Sequence, residues 1–237
     1  LHLELDLHPA RERQVAHDLQ VALLPTIDSS PAAGVTAAAV YAPADPEHEV
    51  GGDWYDVFAL ASGRVAMVVG DVVGHDLRAA TTMARLQPLV RVMATEASDP
   101  ADALTRLDRA APHVDRSLMT TVGLADYDPL THRLRYACAG HLPPLLVDAA
   151  GTRFLEEGRS LPLGVDPAKR RPLAEVTVAP PAQLVWYTDG LVERRGESVS
   201  LGMERLLEAG RAIDRHREPE SLAHELLTND YMNGEVV

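Results

Sequence analysis

Three aspartates stand at the predicted ends of apolar strands or beside a tight turn, where their carboxylates could bind a metal ion. Asp71 follows the apolar run Val65–Gly70, Asp189 follows Leu184–Thr188, and Asp53 follows two consecutive glycines. Glycines at such a position let an ion or a ligand approach the backbone closely. Carboxylates that converge from strand ends without His or Cys partners form a hard oxygen site, which suits Mg²⁺ or Mn²⁺ better than zinc or copper.

The same aspartates have a simpler interpretation, in which each one only caps a turn at the end of a strand. Residue types and spacing alone leave both interpretations open. Asp56, close to Asp53, is expected to be a turn residue or a support for a ligand. The basic run Lys169–Arg171 is expected to be a solvated loop. Cys138 is the single cysteine, which excludes an intrachain disulfide and a metal site built from cysteines.

These aspartates must be positioned by a layered α+β fold in one main domain. Strands grouped together and helices grouped together are typical of this class, and no crossover helix separates the later strands, which favours antiparallel pairing. A bend or break is expected at Pro88. The predicted strands are Val35–Tyr41, Trp54–Leu60, Arg64–Gly70, Leu118–Tyr127, Arg133–Ala139, Pro144–Val147, Leu173–Val178 and Gln183–Thr188, and the predicted helices are Pro9–Leu24, Leu77–Ala97, Asp99–Ala110, Gly202–Ile213 and Pro219–Thr228.

Composition excludes several classes of protein. The chain has 237 residues, 46% of them apolar and only 4% aromatic, so a large core must be built mostly from Ala, Val and Leu. A formal net charge of −13 argues against a general nucleic-acid or anionic-membrane binder. No apolar stretch approaches the roughly 20 residues of a membrane span, and the N-terminus lacks a signal-peptide pattern. We therefore expect a cytoplasmic protein with no membrane insertion and no nucleic-acid partner.

Five short motifs occur in the order and spacing of one bacterial phosphatase family. They are Gly51–Phe58 (GGDWYDVF), Gly70–His75 (GDVVGH), Ala139–Pro144 (AGHLPP), Pro162–Gly164 (PLG) and Tyr187–Glu193 (YTDGLVE). Together they resemble the sporulation stage II protein E type of phosphatase, a sigma-factor-regulating branch of the metal-dependent type 2C serine/threonine protein phosphatases. One motif would be a weak signal, whereas five in register are specific.

The resemblance implies a β-sandwich of two antiparallel sheets flanked by α-helices, with a centre for two Mn²⁺ or Mg²⁺ ions. In this family pattern Asp71 bridges the two ions and the carbonyl of Val72 helps to hold one of them. Asp189 binds the second ion, and Asp53 binds metal directly or through water. The resemblance therefore makes Asp53, Asp71 and Asp189 the expected catalytic residues.

The activity implied by the resemblance is hydrolysis of phosphoserine or phosphothreonine in a protein, by attack of a metal-activated water on phosphorus. The implied substrate is a phosphorylated anti-anti-sigma factor in a partner-switching pathway. One alternative is a catalytically weak module that binds the same partner without a complete metal site. Another alternative is a phosphohydrolase acting on small molecules.

The sequence departs from the family pattern in two places. Asp76 replaces the usual Gly after Gly-His, where its charge could add negative potential near the metals. The C-terminal segment Tyr231–Val237 does not reproduce the Asp-Asp strand that carries the last family ligand. Either Asp230 or Glu235 substitutes for it, or the chain is truncated before that ligand. His75 and His141 lie in motifs and could protonate the leaving oxygen, or could instead hydrogen-bond loops around the site.

The N-terminal residues form a separate expectation about regulation. Residues 1–25 are predicted to be a linker or regulatory helix, and residues 26–237 the phosphatase domain. The helix has one apolar face and one charged face, which fits packing on the domain or pairing with another chain. We expect it to couple an upstream sensor domain, or formation of a homodimer, to completion of the metal site.

Overall fold

The computed structural model describes residues 24–41, 52–74, 77–114, 119–178 and 180–228. The predicted helix Pro9–Leu24 lies almost entirely outside the described residues, so its regulatory role stays a prediction. The same holds for four residues weighed as site candidates or substitutes, which are His75, Asp76, Asp230 and Glu235.

The described residues form nine strands, four α-helices and one short 3₁₀ helix. The strands are β1 Asp53–Ala59, β2 Val65–Val72, β3 Thr120–Asp128, β4 Arg133–Ala139, β5 Leu145–Asp148, β6 Gly151–Phe154, β7 Arg159–Ser160, β8 Ala174–Thr177 and β9 Gln183–Val185. The helices are α1 Leu77–Glu96, α2 Pro100–Val114, α3 Val199–Arg211 and α4 Pro219–Thr228, and the 3₁₀ helix is Asp189–Leu191.

The strands make two sheets. The larger has the order β1-β2-β3-β4-β7, with β8 also pairing with β4, and the smaller has the order β6-β5-β9. Pairing is antiparallel except between β4 and β7, which run parallel over two residue pairs. The strands that were predicted to be antiparallel all pair in that way, and the two-residue parallel strand β7 was not among the predicted strands.

Three apolar clusters show how the layers pack. Helices α1 and α2 cover one face of the larger sheet, where Trp54, Met83 and Leu104 are fully buried in one cluster. A second cluster, which includes Tyr136 and Leu146, joins the two sheets face to face. A third packs α3 and α4 on the smaller sheet. The chain thus forms the α+β sandwich of two sheets flanked by helices that the motifs implied.

Segment Val35–Tyr41 was predicted to be a strand, and this prediction is wrong. The Ala/Val-rich sequence fits a strand, but a strand also needs a partner backbone to complete its ladder. The hydrogen bonds shown here are only local, from the Val35 N–H to the Ala32 carbonyl and from the Ala37 N–H to the Ser29 carbonyl. The segment is therefore irregular.

Helix α1 continues through Pro88 instead of breaking there. Pro88 is exposed, so its ring faces solvent, while Leu86 and Val90 are buried against the larger sheet. Packing of that buried face compensates for the hydrogen bond that proline cannot make. No helix within the described residues is long and apolar enough to cross a membrane.

Arg171 is buried, which corrects the prediction of a solvated basic loop. Its guanidinium donates to Asp108 Oδ2 at 2.7 Å and to Ser160 Oγ at 2.8 Å. The other Asp108 oxygen accepts from the Gly164 N–H at 2.8 Å. This network fastens the connection between β7 and β8 to α2, and Leu163 in that connection donates its N–H to the Thr120 carbonyl at the start of β3.

Replacing Arg171 with Ala should destabilise the fold strongly. The substitution leaves the Asp108 carboxylate buried without its cation, which typically costs about 3–5 kcal/mol of unfolding free energy. The matched control is Arg170→Ala, at an exposed position, where a change within about 0.5 kcal/mol is expected. Urea unfolding of both variants measures the difference. Similar unfolding free energies for the two variants would show that the Arg171–Asp108 pair does not stabilise the fold.

Candidate metal centre

Strand alternation decides which face of the larger sheet each candidate carboxylate occupies. In β1, Trp54 and Phe58 point into the cluster beneath α1 and α2. Asp53 has the opposite parity and therefore faces the smaller sheet. Asp56 shares the helix-side face, where Arg91 of α1 donates to it at 2.8 Å. Asp56 is thus a buried ion-pair partner within a strand and not part of the candidate metal centre.

Strand register places Asp53 and Asp71 side by side. Asp53 pairs with Asp71 across β1 and β2, and Asp71 pairs with Thr121 across β2 and β3. Directly paired residues project from the same face, with Cβ atoms typically about 4.5–5.5 Å apart. The edge of the larger sheet therefore presents a row of Asp53, Asp71 and Thr121 toward the smaller sheet.

The third predicted aspartate, Asp189, lies on the segment that follows strand β9 of the smaller sheet. Strand β9 ends at Val185, three residues earlier than predicted, and the chain continues to Asp189 at the start of the 3₁₀ helix. The Thr188 hydroxyl donates to Asp53 Oδ2 at 2.8 Å, across 135 positions of sequence. Asp189 itself is exposed, and its charge raises the pKa of Asp53 and of Asp71. Asp189 therefore lies within electrostatic range of the adjacent Asp53 and Asp71, and all three line one cleft.

The crowding of carboxylates changes their proton affinity. The pKa of Asp53 is raised to about 7. Burial is the largest cause, and the negative charge of the neighbouring Asp71 raises the pKa further. The hydrogen bond from Thr188 acts in the opposite direction. Burial, followed by the Asp189 charge, also raises the pKa of Asp71. A divalent cation among these groups would replace their repulsion by attraction.

The backbone of Val72 lies directly against the backbone of Gly52. This contact is possible only because residue 52 is a glycine. A Cβ at Gly52 would come within 2.1 Å of the Val72 carbonyl oxygen. The Val72 N–H donates to the Gly52 carbonyl at 3.2 Å, so the two segments are in direct contact. Any side chain at position 52 would push β2 away from the start of β1. The glycine thus allows close contact between two backbone segments, and the expected close approach of an ion stays a prediction.

The donor set fits a hard divalent ion that keeps part of its water shell. Among the described residues, no group of three or more His, Cys, Asp or Glu side chains is arranged to hold one ion in common. The candidate metal-binding oxygens belong to the paired carboxylates of Asp53 and Asp71 and to the backbone carbonyl of Val72. Mg²⁺ is commonly bound by one or two carboxylates with waters completing its shell, so this donor set suits Mg²⁺ or Mn²⁺.

His141 does not have the surroundings of a proton donor to substrate. The ring is buried, and both nitrogens have partners, Thr121 Oγ1 at 2.8 Å and the Tyr187 carbonyl at 3.0 Å. Burial lowers the pKa of His141 to about 4, so the ring is neutral near pH 7. Of the two roles weighed for this histidine, hydrogen bonding within the site is the one that the structure confirms.

Sequence reasoning missed Thr121 and Thr188 as members of the site. Thr188 lies inside the motif Tyr187–Glu193, directly before Asp189, so the motif could have identified it as a residue of the site. Thr121 gave none, because its place opposite Asp71 depends on strand register, which single-sequence patterns do not fix.

The metal-free protein should lose stability as the pH rises. The Asp53 carboxyl binds its proton more tightly in the folded state (pKa about 7) than at its ordinary pKa of 3.8. The folded state therefore holds more protons between these values, so the stability that Asp53 contributes is fully present below about pH 4 and is lost as the pH rises to about 7. Saturating Mn²⁺ should flatten this fall because the ion binds the ionised carboxylates.

Thermal unfolding between pH 4.5 and 8, with chelator or with Mn²⁺, measures this effect. Asp126 supplies an internal reference, since burial raises its pKa to about 6 at a place away from the carboxylate row. The contribution of Asp126 to the pH dependence of Tm should be the same with and without Mn²⁺. An identical pH dependence with and without Mn²⁺ would contradict binding at Asp53 and Asp71.

A family model described as Stage II sporulation protein E (SpoIIE) matches residues 61–229, which is more than half of the chain. The match includes Asp71, Val72 and Asp189, while Asp53 precedes it. The chain belongs to the SpoIIE family. This confirms the resemblance inferred from the five motifs.

One curated relative covers nearly the whole chain. Phosphoserine phosphatase RsbU of Bacillus subtilis (strain 168) is 25% identical over 223 residues, which cover 93% of this chain and 63% of the relative. The SpoIIE-family chain thus spans less than two thirds of RsbU.

Two solved structures share the fold. The RsbU and RsbW domains of Rv1364c from Mycobacterium tuberculosis superpose with a TM-score of 0.69 and 32% identity, covering 78% of this chain and 51% of that one. The SiaA-PP2C domain of Pseudomonas aeruginosa gives a TM-score of 0.75 at 21% identity, covering 94% and 89% of the two chains. These likenesses confirm the type 2C phosphatase fold.

Proposed function

We propose that this SpoIIE-family domain is a Mn²⁺- or Mg²⁺-dependent phosphoserine/phosphothreonine protein phosphatase. The observation that carries the proposal is the side-by-side placement of Asp53 and Asp71, with the Asp189 charge acting on both. The name of RsbU, a phosphoserine phosphatase, supports the same reaction. Family membership and the carboxylate row thus favour hydrolysis of a phosphate ester.

Each residue of the candidate metal centre would have a distinct task. Asp71 would be the ligand that two ions share, and Asp53, the Val72 carbonyl and Asp189 would help to hold them. The Thr188 hydroxyl would keep Asp53 oriented as a charged ligand. When bound, the ions would supply an activated water and neutralise the phosphate oxygens.

The reaction needs no protein nucleophile, and the described residues agree with that. Burial raises the pKa of the Cys138 thiol to about 12, so this side chain stays protonated and unreactive. His141 is neutral and already uses both ring nitrogens. Water activated at the carboxylate row is therefore the nucleophile that fits these residues.

The proposed substrate is a phosphorylated anti-anti-sigma factor, as the family resemblance implies. A folded protein substrate fits the position of the row, because Asp189 is exposed at the rim of the cleft between the sheets. Release of phosphate from such a protein would free a sigma factor by partner switching.

A second candidate function has one observation in its favour. The described residues include no group of three His, Cys, Asp or Glu side chains arranged around one ion. A domain with an incomplete metal site would bind the phosphorylated partner and turn it over slowly. Such a module would bind the phosphoprotein equally well with and without Mn²⁺.

Phosphate release distinguishes these functions. A phosphoserine-containing anti-anti-sigma factor and a small aryl phosphate are compared, each with Mn²⁺ and with chelator. We expect Mn²⁺-dependent release from the phosphoprotein that is faster than release from the small ester. Binding without turnover would favour the weak module, and activity on the small ester alone would favour a small-molecule phosphohydrolase.

A further inference from the structure

His141 enters the space between the sheets directly after the end of β4. The turn depends on Gly140, whose φ of +70° lies in the left-handed region. A Cβ at this position would also come within 2.5 Å of the Pro162 side chain. His141 is 3% exposed, and its ring lies 6.1 Å from the Trp186 ring, centroid to centroid. The Gly-His pair therefore delivers a buried imidazole between β3 and the segment that follows β9.

The hydrogen bonds of this imidazole define its tautomer. The Tyr187 carbonyl can only accept, so His141 Nε2, at 3.0 Å, carries the hydrogen and donates it. Nδ1 is then unprotonated and accepts from the Thr121 hydroxyl at 2.8 Å. A neutral ring thus uses both nitrogens at once and links two separate parts of the chain.

The two linked parts carry the two sides of the candidate metal centre. Thr121 is the register partner of Asp71 in the larger sheet. Tyr187 stands two residues before Asp189 on the side of the smaller sheet. Beside this link, the Thr188 hydroxyl joins the same segment to Asp53. The imidazole therefore forms one of two side-chain connections between the strands beside Asp71 and the Asp189 segment within the described residues, and the bond from Thr188 to Asp53 is the other.

We propose that His141 is a positioning residue that sets the separation between Asp71 and Asp189, and through it the metal affinity of the centre. The inference rests on the proposed function and adds a role for the Gly-His motif. Within the described residues, His141 is hydrogen-bonded to Thr121 and to the Tyr187 carbonyl and to neither of those carboxylates. It therefore acts on the carboxylates indirectly. If either of these two hydrogen bonds is lost, the bond from Thr188 to Asp53 is the remaining side-chain connection, within the described residues, between the segment Tyr187–Asp189 and the larger sheet.

A pair of substitutions at Thr121 tests this role with little change in volume. Thr121→Val removes the hydroxyl that donates to Nδ1, and Thr121→Ser keeps it. His141→Gln removes the ring while retaining an amide donor. We measure the Mn²⁺ concentration at half-saturation from the Mn²⁺-induced rise in Tm, the Tm without metal, and kcat and KM for the phosphoprotein.

We expect Thr121→Val and His141→Gln to weaken Mn²⁺ binding about 10–100-fold, the usual effect of losing a group that orients a metal ligand. kcat should fall at fixed Mn²⁺ while KM for the phosphoprotein stays unchanged. Thr121→Ser should retain wild-type Mn²⁺ affinity. The double variant should be no worse than His141→Gln alone, because both changes break one connection.

Several results would overturn the inference. One is wild-type Mn²⁺ half-saturation in folded Thr121→Val, even if its Tm without metal is lower, since that shows a purely structural bond. Another is equal weakening by Val and Ser at position 121. If His141→Gln fails to fold, the Thr121 pair still decides. A wild-type protein with no Mn²⁺-induced rise in Tm would contradict the proposed function itself, and with it this inference.

Discussion

Asp71→Asn should lower kcat at least ~10²-fold, equivalent to about 2.7 kcal/mol of transition-state stabilisation. The substitution keeps the size of the side chain and removes the central negative charge of the row that would face two dications. The fold should persist, because the charge of Asp71 raises the pKa of Asp53 and so opposes ionisation of that neighbour. We therefore expect the metal-free variant to be at least as stable as the wild type. Steady-state phosphate release and thermal unfolding measure the two effects.

Asp56→Asn is the matched control for this prediction. Asp56 lies on the same hairpin as Asp71 but on the opposite face, paired with Arg91 at 2.8 Å. Its replacement should lower stability and leave the Mn²⁺ dependence of turnover intact. Near-normal turnover in a folded Asp71→Asn variant would show that Asp71 is not the bridging ligand.

Removal of divalent ions should abolish phosphatase activity. The three carboxylates and the Val72 carbonyl offer only oxygen donors, which give moderate affinity for Mn²⁺ or Mg²⁺ and no preference for zinc. Phosphate release should therefore cease after dialysis against chelator and return with Mn²⁺ or Mg²⁺. Zn²⁺ should restore little of it. Full activity in a metal-stripped sample would exclude the proposed chemistry.

The sequence predicted the strands and aspartates of the site because those features are local. The apolar run before Asp71 is long enough to show strand character, whereas only the first half of the predicted strand before Asp189 forms a strand. The five motifs then identified the family, and its fold agrees with the two sheets and flanking helices. Strand positions such as β1 and β4 were predicted to within one residue at each end.

The remaining features depend on contacts between distant residues. The pairing of Asp53 with Asp71 follows from the hairpin between β1 and β2, and the bond from Thr188 to Asp53 spans 135 positions. Strands β6 and β7 were missed because they are short and contain Gly or Arg in place of an apolar run. Arg171 looked like part of a solvated basic run, since only tertiary packing reveals its buried partner Asp108.

We propose that Asp53, Asp71 and Asp189 bind the divalent ions on which hydrolysis depends. Calorimetric titration of Mn²⁺ into the wild type and into Asp71→Asn tests it most directly, since it needs no substrate. We expect saturable binding by the wild type and at least tenfold weaker binding by the folded variant, a difference of about 1.4 kcal/mol. Equal Mn²⁺ affinity in the two proteins, or no saturable binding by the wild type, would contradict it.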